Sequence, residues 1–211
     1  MQMVECTNLT YCLSDKDSTL MMDVKNFVHP SIEASMRHPL NFSVGSSTLF
    51  CIIGDNGTGK STLLKILAGL MAPENGEMIQ HEKMVYLGEK FGLKEKSTIQ
   101  SFLSIYDKKP FNSIFSFIPK LKLSHLKHKI EILSSGQKML LNFYRINQSN
   151  KKLWLLDEPF RFLDTNNKQK VKKWIIDHIQ KEGSVILTDH SLHLFQEEIK
   201  AQKIKIQTIL L

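Results

Sequence analysis

A glycine-rich run that ends in Lys-Ser-Thr is the first feature of this chain that could do chemistry. It matches the pattern G-x-x-x-x-G-K-[ST], and its residues are Gly54, Asp55, Asn56, Gly57, Thr58, Gly59, Lys60, Ser61 and Thr62. Glycines let the backbone bend until its N–H groups point at phosphates, and a following helix N-terminus adds about half a positive charge. We therefore predict a nucleotide-binding loop in which Lys60 reaches the β- and γ-phosphates and the Ser61 hydroxyl binds Mg²⁺.

Two carboxylates close an apolar stretch later in the chain. Lys152–Leu156 is interpreted as a buried parallel strand, because its apolar residues run without alternation, and Asp157 and Glu158 follow it directly. Taken alone, a strand that ends in Asp-Glu is more often the solvated start of a helix. Behind a phosphate loop, the pair predicts an Asp157 that holds Mg²⁺ and a Glu158 that acts as general base on the attacking water.

Between these two motifs, Leu133–Gln137 reads Leu-Ser-Ser-Gly-Gln. It resembles the Leu-Ser-Gly-Gly-Gln signature of ABC-family ATPase domains, with a serine in place of the first glycine, and it lies at the family's usual distance before the acidic pair. The resemblance implies a loop at a helix start that closes over the γ-phosphate of an ATP held by a partner copy. The nucleotide-binding residues it adds are Ser134, Ser135, Gly136 and Gln137.

The same resemblance assigns three further features. Phe162–Asp164 (Phe-Leu-Asp) resembles the family's Ala-Leu-Asp loop, which crosses the interface between two copies. His190 resembles the switch histidine that contacts the γ-phosphate, so we expect it to be catalytic together with Lys60 and Glu158. Arg145 falls where the family places an arginine in the signature helix.

Two expected contacts are less well defined by the sequence. Most family members have a glutamine that senses Mg²⁺ at the position where this chain has Glu89. We expect Glu89 to face the metal with Ser61 and Asp157, although this departure leaves its role in coupling open. Tyr11 is the best candidate for a side chain that stacks on adenine.

Two short stretches point to one branch of the family. Tyr86–Lys94 (Tyr-Leu-Gly-x-x-x-Gly-Leu-Lys) and Leu153–Phe160 (Leu-Trp-Leu-Leu-Asp-Glu-Pro-Phe) resemble the ATP-binding subunit of the haem exporter used in cytochrome c maturation. The resemblance implies a subunit that hydrolyses ATP with Mg²⁺ to drive haem export or release of a haem-loaded chaperone. It also implies a homodimer bound to transmembrane permease subunits, peripheral on the cytoplasmic face of an inner membrane or the matrix face of a mitochondrial one.

Other functions stay open at this point. The chain could serve another small-substrate exporter, or act as a nucleotide-gated switch that hydrolyses ATP weakly, since Ser135 and Glu89 depart from the family pattern. A soluble ABC ATPase acting on ribosomes or DNA is disfavoured, because those types carry two such domains or a long coiled coil.

The composition limits the class of protein. The 211 residues include 28 basic and 21 acidic ones, for a net charge of +7, but only three of the basic residues are arginines. Readers of nucleic acid usually depend on arginine forks and aromatic platforms, so we expect no nucleic-acid partner and assign the charge to a membrane-side surface. No apolar run suits a membrane span, the N-terminus does not resemble a signal peptide, and the three cysteines fit buried thiols.

The elements that must position these residues predict an α/β fold. Strands at Val4–Thr10, Leu40–Val44, Thr48–Ile53, Met84–Leu87, Lys152–Leu156 and Ser184–Thr188 alternate with helices at Ser61–Leu70 and Asn166–Lys181. This alternation predicts a parallel sheet flanked by helices, with loops and weak strands expected between Tyr11 and Pro39. From Thr98 to about Ile132 no good strand is found, and Phe, Leu, Ile and Lys recur at helical spacing, which predicts a small helical subdomain at about 96–147. The resemblance adds a small antiparallel β subdomain, within a single P-loop NTPase domain of the ABC type that spans 1–211.

Overall fold

The computed structural model describes the backbone of residues 3–6, 9–12, 19–28, 39–88, 92–106, 112–118, 121–188, 192–201 and 204–211. Ten strands lie in these ranges: β1 Met3–Cys6, β2 Leu9–Cys12, β3 Leu20–Val28, β4 Leu40–Gly45, β5 Thr48–Ile53, β6 Asn75–Gln80, β7 Met84–Leu87, β8 Leu153–Asp157, β9 Ser184–Thr188 and β10 Lys205–Leu210. The α-helices of the same ranges are α1 Lys60–Leu67, α2 Ile99–Tyr106, α3 Asn112–Phe117, α4 Ser135–Gln148, α5 Thr165–Gln180 and α6 Gln196–Lys200. Short 3₁₀ turns occur at Leu123–Lys127, Ile130–Ile132 and Leu192–Phe195.

The strands form two sheets. The larger has the order β1-β2-β10-β5-β9-β8-β7, in which the five strands from β10 to β7 are parallel and β1 and β2 extend one edge in antiparallel fashion. The smaller sheet is antiparallel, with β3 between β4 and β6. The predicted α/β fold with a parallel sheet and a small antiparallel subdomain is confirmed.

Contacts divide the chain into two compact units. The first comprises Met1–Glu89, Lys151–Pro159 and Lys172–Leu211, and the second comprises Lys90–Asn150 and Phe160–Val171. The first unit contains both sheets and α1, and the second contains α2, α3 and α4. The extent of a single domain over 1–211 stays a prediction.

One hydrophobic core joins both sheets and α1 in the first unit. Side chains of β3 and β4 pack against those of β5, and the rings of Phe42 and Phe50 lie 4.8 Å apart. α1 contributes Leu63, Leu64 and Leu67, none of which is exposed. Because β8 and β9 are buried along their whole length, and β5 up to its last residue, packing fixes the positions of their carboxyl ends.

α4 is the central helix of the second unit. Its buried face includes Met139, Leu140 and Phe143, and the ring of Tyr144 meets Phe117 of α3 edge-on at 5.1 Å. The described residues between 98 and 132 include α2, α3 and two 3₁₀ turns, together with an isolated bridge between Thr98 and Lys129.

Three sequence predictions need correction. Val4–Thr10 is not one strand but parts of two, since Val4 of β1 pairs with Tyr11 of β2 in antiparallel register. Polar residues interrupt the apolar pattern there, and the prediction of a single strand did not take them into account. α1 ends at Leu67 rather than Leu70, because Gly69 adopts φ 70° and the Leu70 N–H bonds back to the Lys65 carbonyl, which closes the helix.

The third correction concerns β3, which occupies a stretch predicted to hold loops and weak strands. It is nine residues long and is the central strand of its sheet. Irregularities in its pairing with β4 occur after Leu20 and after Val24, so that Met21 and Met22 are both buried. These irregularities remove the two-residue alternation by which a half-buried strand is recognised in a sequence.

Candidate nucleotide-binding site

The glycine-rich loop connects the end of β5 to the start of α1, the position that the sequence predicts for it. Gly57 and Gly59 adopt φ 88° and φ 95°, which are left-handed values that glycine tolerates best. Gly54 is also restricted by space, since a Cβ there would lie 2.8 Å from the Thr58 hydroxyl oxygen. Glycines at these places therefore favour the tight turn of the loop.

Lys60 lies at the centre of this loop. Its side chain is buried, and its ammonium group donates hydrogen bonds to the carbonyl oxygens of Gly54 at 2.7 Å and Asp55 at 2.6 Å. These bonds hold the cation beneath the loop backbone. A positive charge in that position can attract the terminal phosphates of a nucleotide bound by the loop.

The start of α1 adds a second attraction for anions. Gly59 is its N-cap, no side chain among the described residues caps this end, and its first turn carries no acidic residue. The N–H groups of a first helical turn lack partners within the helix and carry a partial positive charge. This end of α1 is therefore suited to bind phosphate.

Asp157 is a buried carboxylate that contacts the loop. It ends β8, is only 1% exposed, and its Oδ1 accepts hydrogen bonds from the hydroxyls of Ser61 at 2.9 Å and Thr188 at 2.6 Å. Ser61 belongs to the predicted phosphate loop, so the structure brings two of the three residues predicted at the metal into direct contact. Thr188 ends β9 and pairs with Asp157 in the parallel register.

The chemistry of this pair fits Mg²⁺. The second carboxylate oxygen of Asp157, Oδ2, is buried and has no hydrogen-bond partner within the described part of the chain. A carboxylate and a hydroxyl are oxygen ligands of the kind Mg²⁺ prefers, and Mg²⁺ takes its other ligands from phosphates and water. No group of three His, Cys, Asp or Glu side chains in the described ranges could hold a metal ion alone.

Glu158 follows Asp157 and is half-buried. Its φ of 46° is left-handed, an uncommon conformation for a residue with a side chain. Its backbone N–H donates to Thr188, to the carbonyl oxygen at 3.0 Å and to the hydroxyl oxygen at 3.2 Å. Two hydrogen bonds therefore attach the backbone of Glu158 to the end of β9.

In the second unit, the signature-like segment starts α4. Ser134 is the N-cap: its hydroxyl accepts from the Gln137 N–H at 3.2 Å, and the Gln137 side-chain oxygen accepts from the Ser134 N–H at 3.1 Å. This reciprocal capping box fixes the first turn of the helix. The helix start predicted for this loop is confirmed.

Gly136 and Ser135 differ in how much the structure demands of them. A Cβ at Gly136 would lie 2.8 Å from the carbonyl oxygen of Phe162, so only glycine fits without movement of that loop. Ser135 is exposed and does not have a positive φ, so its side chain meets no backbone restriction. The departure of Ser135 from the family signature is therefore structurally tolerated.

The signature-like segment and the Phe162–Asp164 loop line one concavity of about 550 Å³ within the second unit. Phe162 is half-exposed with φ 64°, and the guanidinium of Arg161 lies 4.9 Å from its ring centre. Asp164 accepts hydrogen bonds from the backbone and side-chain amides of Asn167. Two segments that the resemblance assigns to a subunit interface thus share one surface.

Some predicted site residues lie outside the described residues. Glu89 and His190 are among them, and so is the side chain of Tyr11, whose backbone belongs to β2. Arg145 lies half-buried in the last turn of α4. The roles given to these four residues stay predictions.

Thr188 is a site residue that the sequence analysis missed. A signal was available, because Ser184–Thr188 is an apolar strand that ends in a polar residue, as Lys152–Leu156 is followed by Asp157. The end of one parallel strand lies beside the end of its neighbour only if the two strands are adjacent and in register. Sequence alone did not supply that adjacency, which the pairing of β8 with β9 reveals.

None of the helices in the described part of the chain is long and apolar enough to cross a membrane. Among known proteins, the cytochrome c biogenesis ATP-binding export protein CcmA of Gluconobacter oxydans (strain 621H) is 34% identical over 72% of this chain and 72% of its own length. The protein of the same name from Vibrio cholerae serotype O1 (strain ATCC 39315 / El Tor Inaba N16961) is 30% identical over 88% of this chain and 98% of its own.

A solved structure is also similar to this chain. It is described as an inward-facing conformation of a putative metal-chelate type ABC transporter, and it is 27% identical with a TM-score of 0.64 over 82% of this chain and 74% of that one. The profile of the ABC transporter family matches residues 37–161, which include the phosphate loop, the signature-like segment and the acidic pair. The chain belongs to the ABC transporter family, in which the ATP-binding domains hydrolyse ATP.

Proposed function

We propose that this chain is the ATP-hydrolysing subunit of a haem exporter that serves cytochrome c maturation. The observation that carries the chemical part is the contact of Ser61 in the phosphate loop with buried Asp157, because it joins phosphate binding to metal binding. The assignment of haem as the transported species rests on the similarity to the cytochrome c biogenesis export proteins.

The described site residues of the first unit each have a role in this proposal. The loop from Gly54 to Thr62 and the N-terminus of α1 bind the phosphates, and Lys60 offsets the charge of the β- and γ-phosphates. Ser61 and Asp157 would hold Mg²⁺, which when bound neutralises charge that develops on the phosphate oxygens. Glu158 accepts a proton from the attacking water, and its half-buried side chain remains accessible to a water molecule.

The remaining site residues complete the proposal through the family resemblance. His190 contacts the γ-phosphate, and Glu89 faces the metal. Two copies enclose ATP between the phosphate loop of one and the Ser134–Gln137 segment of the other. The helix start at Ser135, with its exposed first residue, suits the binding of an anion by backbone N–H groups.

The partners follow from the same proposal. A subunit of this kind works with transmembrane permease subunits and lies peripherally on the cytoplasmic face of the inner membrane, or the matrix face in a mitochondrion. Its net charge of +7 favours contact with acidic surfaces, including anionic lipid headgroups. Any haem is held by the partner subunits rather than by this chain.

The test uses the complex as it occurs in the membrane. The subunit is purified in mild detergent with the proteins that accompany it, and phosphate release from ATP is measured with Mg²⁺ and with excess chelator. We expect transmembrane partners to co-purify and hydrolysis to depend on Mg²⁺. In the source organism, replacing the native subunit by Glu158→Gln should deplete c-type cytochromes and spare cytochromes with non-covalent haem; normal levels of c-type cytochromes would contradict the haem assignment.

A further inference from the structure

We propose that Thr188 is a positioning residue for ATP hydrolysis, which holds both Asp157 and Glu158 through its hydroxyl and carbonyl groups. The inference rests on the proposed function, since it concerns the two carboxylates to which that function gives roles. Thr188 does not touch the nucleotide in this proposal. It acts by fixing the direction in which each carboxylate points.

The position of Thr188 follows from the register of the parallel sheet. β8 and β9 pair so that Thr188 lies directly beside Asp157, and both side chains are buried. The apolar residues before them are buried on both faces of the sheet, and their close packing holds the two strands in this register. A hydroxyl and a carboxylate are thereby brought within 2.6 Å at the edge of the sheet where the phosphate loop begins.

The first consequence concerns the orientation of Asp157. The hydroxyls of Thr188 and Ser61 both donate to the same oxygen, Oδ1, at 2.6 Å and 2.9 Å. Two donors on one oxygen prevent the carboxylate from rotating, and they leave Oδ2 as the oxygen without a hydrogen-bond partner in the described ranges. Ser61 would have to serve the metal as well when a nucleotide binds, so Thr188 becomes the donor that keeps Asp157 in place.

The second consequence concerns the backbone of Glu158. At φ 46° a residue with a side chain needs support from its surroundings. That support is the pair of hydrogen bonds from the Glu158 N–H to the carbonyl and hydroxyl oxygens of Thr188. Because the φ value of Glu158 sets the direction of its Cα–Cβ bond, Thr188 also determines where the predicted general base points.

These bonds form one relay through a single hydroxyl. The Glu158 N–H donates to the Thr188 hydroxyl oxygen, and that hydroxyl in turn donates to Asp157. Loss of the hydroxyl removes both bonds at once. The carbonyl of Thr188 still holds the Glu158 N–H at 3.0 Å, so the strand end itself should persist.

Ser184 provides a matched control at the other end of β9. It is fully buried, and its hydroxyl donates to the Gly45 carbonyl at 2.7 Å and accepts from the Thr48 N–H at 3.2 Å. It therefore has the burial and the two hydrogen bonds of Thr188 but lies at the opposite edge of the sheet. A purely structural role of a buried hydroxyl in β9 should affect both residues alike.

The experiment compares Thr188→Val, which keeps the shape, with Thr188→Ser, which keeps the hydroxyl, and with the control Ser184→Ala. Each variant is assayed in the complex with its membrane partners for kcat and KM of ATP hydrolysis. Equilibrium binding of ATP is measured with Mg²⁺ and with excess chelator. Thermal unfolding of each variant reports its stability.

We expect Thr188→Val to lower kcat by about 10- to 100-fold, the usual effect of losing a residue that orients a metal-binding group. The gain in ATP affinity that Mg²⁺ provides should shrink, and KM for ATP with Mg²⁺ should rise accordingly, while the Mg²⁺-free affinity stays the same. Thr188→Ser should restore these quantities, and Ser184→Ala should leave them unchanged.

Three results would overturn the inference. They are a Thr188→Val complex with native kcat, a Thr188→Ser complex as impaired as Thr188→Val, and a Ser184→Ala complex with the same loss. If Thr188→Val does not fold, Thr188→Cys replaces it, since cysteine matches serine in shape but is a weak hydrogen-bonding group. A native complex without Mg²⁺-dependent hydrolysis would instead contradict the proposed function, which distinguishes the two failures.

Discussion

At the scale of single residues, the site depends on where a few polar atoms are buried. Asp157 is enclosed at the end of an apolar strand, where a carboxylate persists only with donors or a cation beside it. Two hydroxyls donate hydrogen bonds to one of its carboxylate oxygens. Glu158, one residue on, is half-buried and turned by a left-handed backbone, so two adjacent acids face different surroundings and can perform different tasks.

The assignment of Glu158 as general base gives a direct prediction. Glu158→Gln keeps the size of the side chain and its tolerance of the backbone but cannot accept a proton, so turnover should fall by about 10²–10⁴-fold while ATP still binds. Glu182→Gln is a matched control, because Glu182 is also a glutamate at positive φ, 64°, and lies at the surface. Phosphate release and ATP binding are measured for both in the complex; undiminished turnover in Glu158→Gln would remove the assignment.

At the scale of elements, the carboxyl ends of the parallel strands carry the predicted site residues, and the opposite ends carry stabilising contacts. There, the ring of His178 from α5 stacks on Trp154 of β8, with centroids 3.8 Å apart and an angle of 13° between the planes. Its Nε2 lies 3.0 Å from the Lys152 carbonyl oxygen. Gly183 must be a glycine, since a Cβ there would collide with this ring.

The burial of His178 predicts that the stability of the folded protein depends on pH. Burial lowers the pKa of His178 from 6.5 to about 4, partly offset by hydrogen bonds to the backbone and reinforced by the charge of Lys181. Because the unfolded chain takes up the proton first, the stabilisation is complete above pH 6.5 and is lost as the pH falls towards 4, by about 1–3 kcal/mol.

Chemical denaturation between pH 7 and pH 4 checks this, with His178→Gln, which retains a donor for the Lys152 carbonyl, and the exposed-site control His81→Gln. The loss of stability on acidification should shrink in His178→Gln and persist in His81→Gln. Equal pH dependence in all three proteins would contradict the assignment to His178.

Individual elements show which parts of the fold and the site could be predicted from the sequence and which could not. β5 and β9 are predicted to the residue, because continuous apolar runs bounded by polar or glycine residues leave little choice of ends. β3 escaped recognition because its pairing irregularities break the two-residue period. The phosphate loop and the acidic pair are legible as local motifs, whereas the role of Thr188 depends on a strand pairing between residues 31 positions apart.

Packing constraints were equally hidden at the sequence level. The requirement for glycine at Gly136 comes from the Phe162 carbonyl, a contact that no local pattern encodes. The tolerance of Ser135 was likewise not derivable, since it depends on the backbone angle at the start of α4. Motifs that bind ligands through backbone and short spacing are predictable, and contacts between distant segments are not.

At the scale of the whole molecule, the proposal requires two copies. The phosphate loop belongs to the first unit of the chain, while Ser134–Gln137 and Phe162–Asp164 share a surface of the second unit. If ATP is enclosed between copies, each site takes its phosphate loop from one copy and its signature-like segment from the other.

This arrangement predicts complementation between defective copies. Lys60→Met should disable the phosphate loop, and Gly136→Asp should place a negative charge in the segment that faces the γ-phosphate. Each variant alone should be inactive, but a mixed complex retains one site made of two native halves and should recover hydrolysis. Two copies that both carry Lys60→Met provide the control without recovery, and failure of the mixed complex to hydrolyse ATP would argue against the shared site.

The binding of ATP by the phosphate loop tests the account most directly. Titration calorimetry with ATP and Mg²⁺ compares the native chain with Lys60→Met and with Lys65→Met, an exposed lysine of the same helix. Removing hydrogen bonds between a charged group and phosphate should weaken binding by about 10- to 100-fold in Lys60→Met and leave Lys65→Met at native affinity. A native chain that does not bind ATP, or a Lys60→Met variant that binds it as tightly as the native chain, would contradict the account.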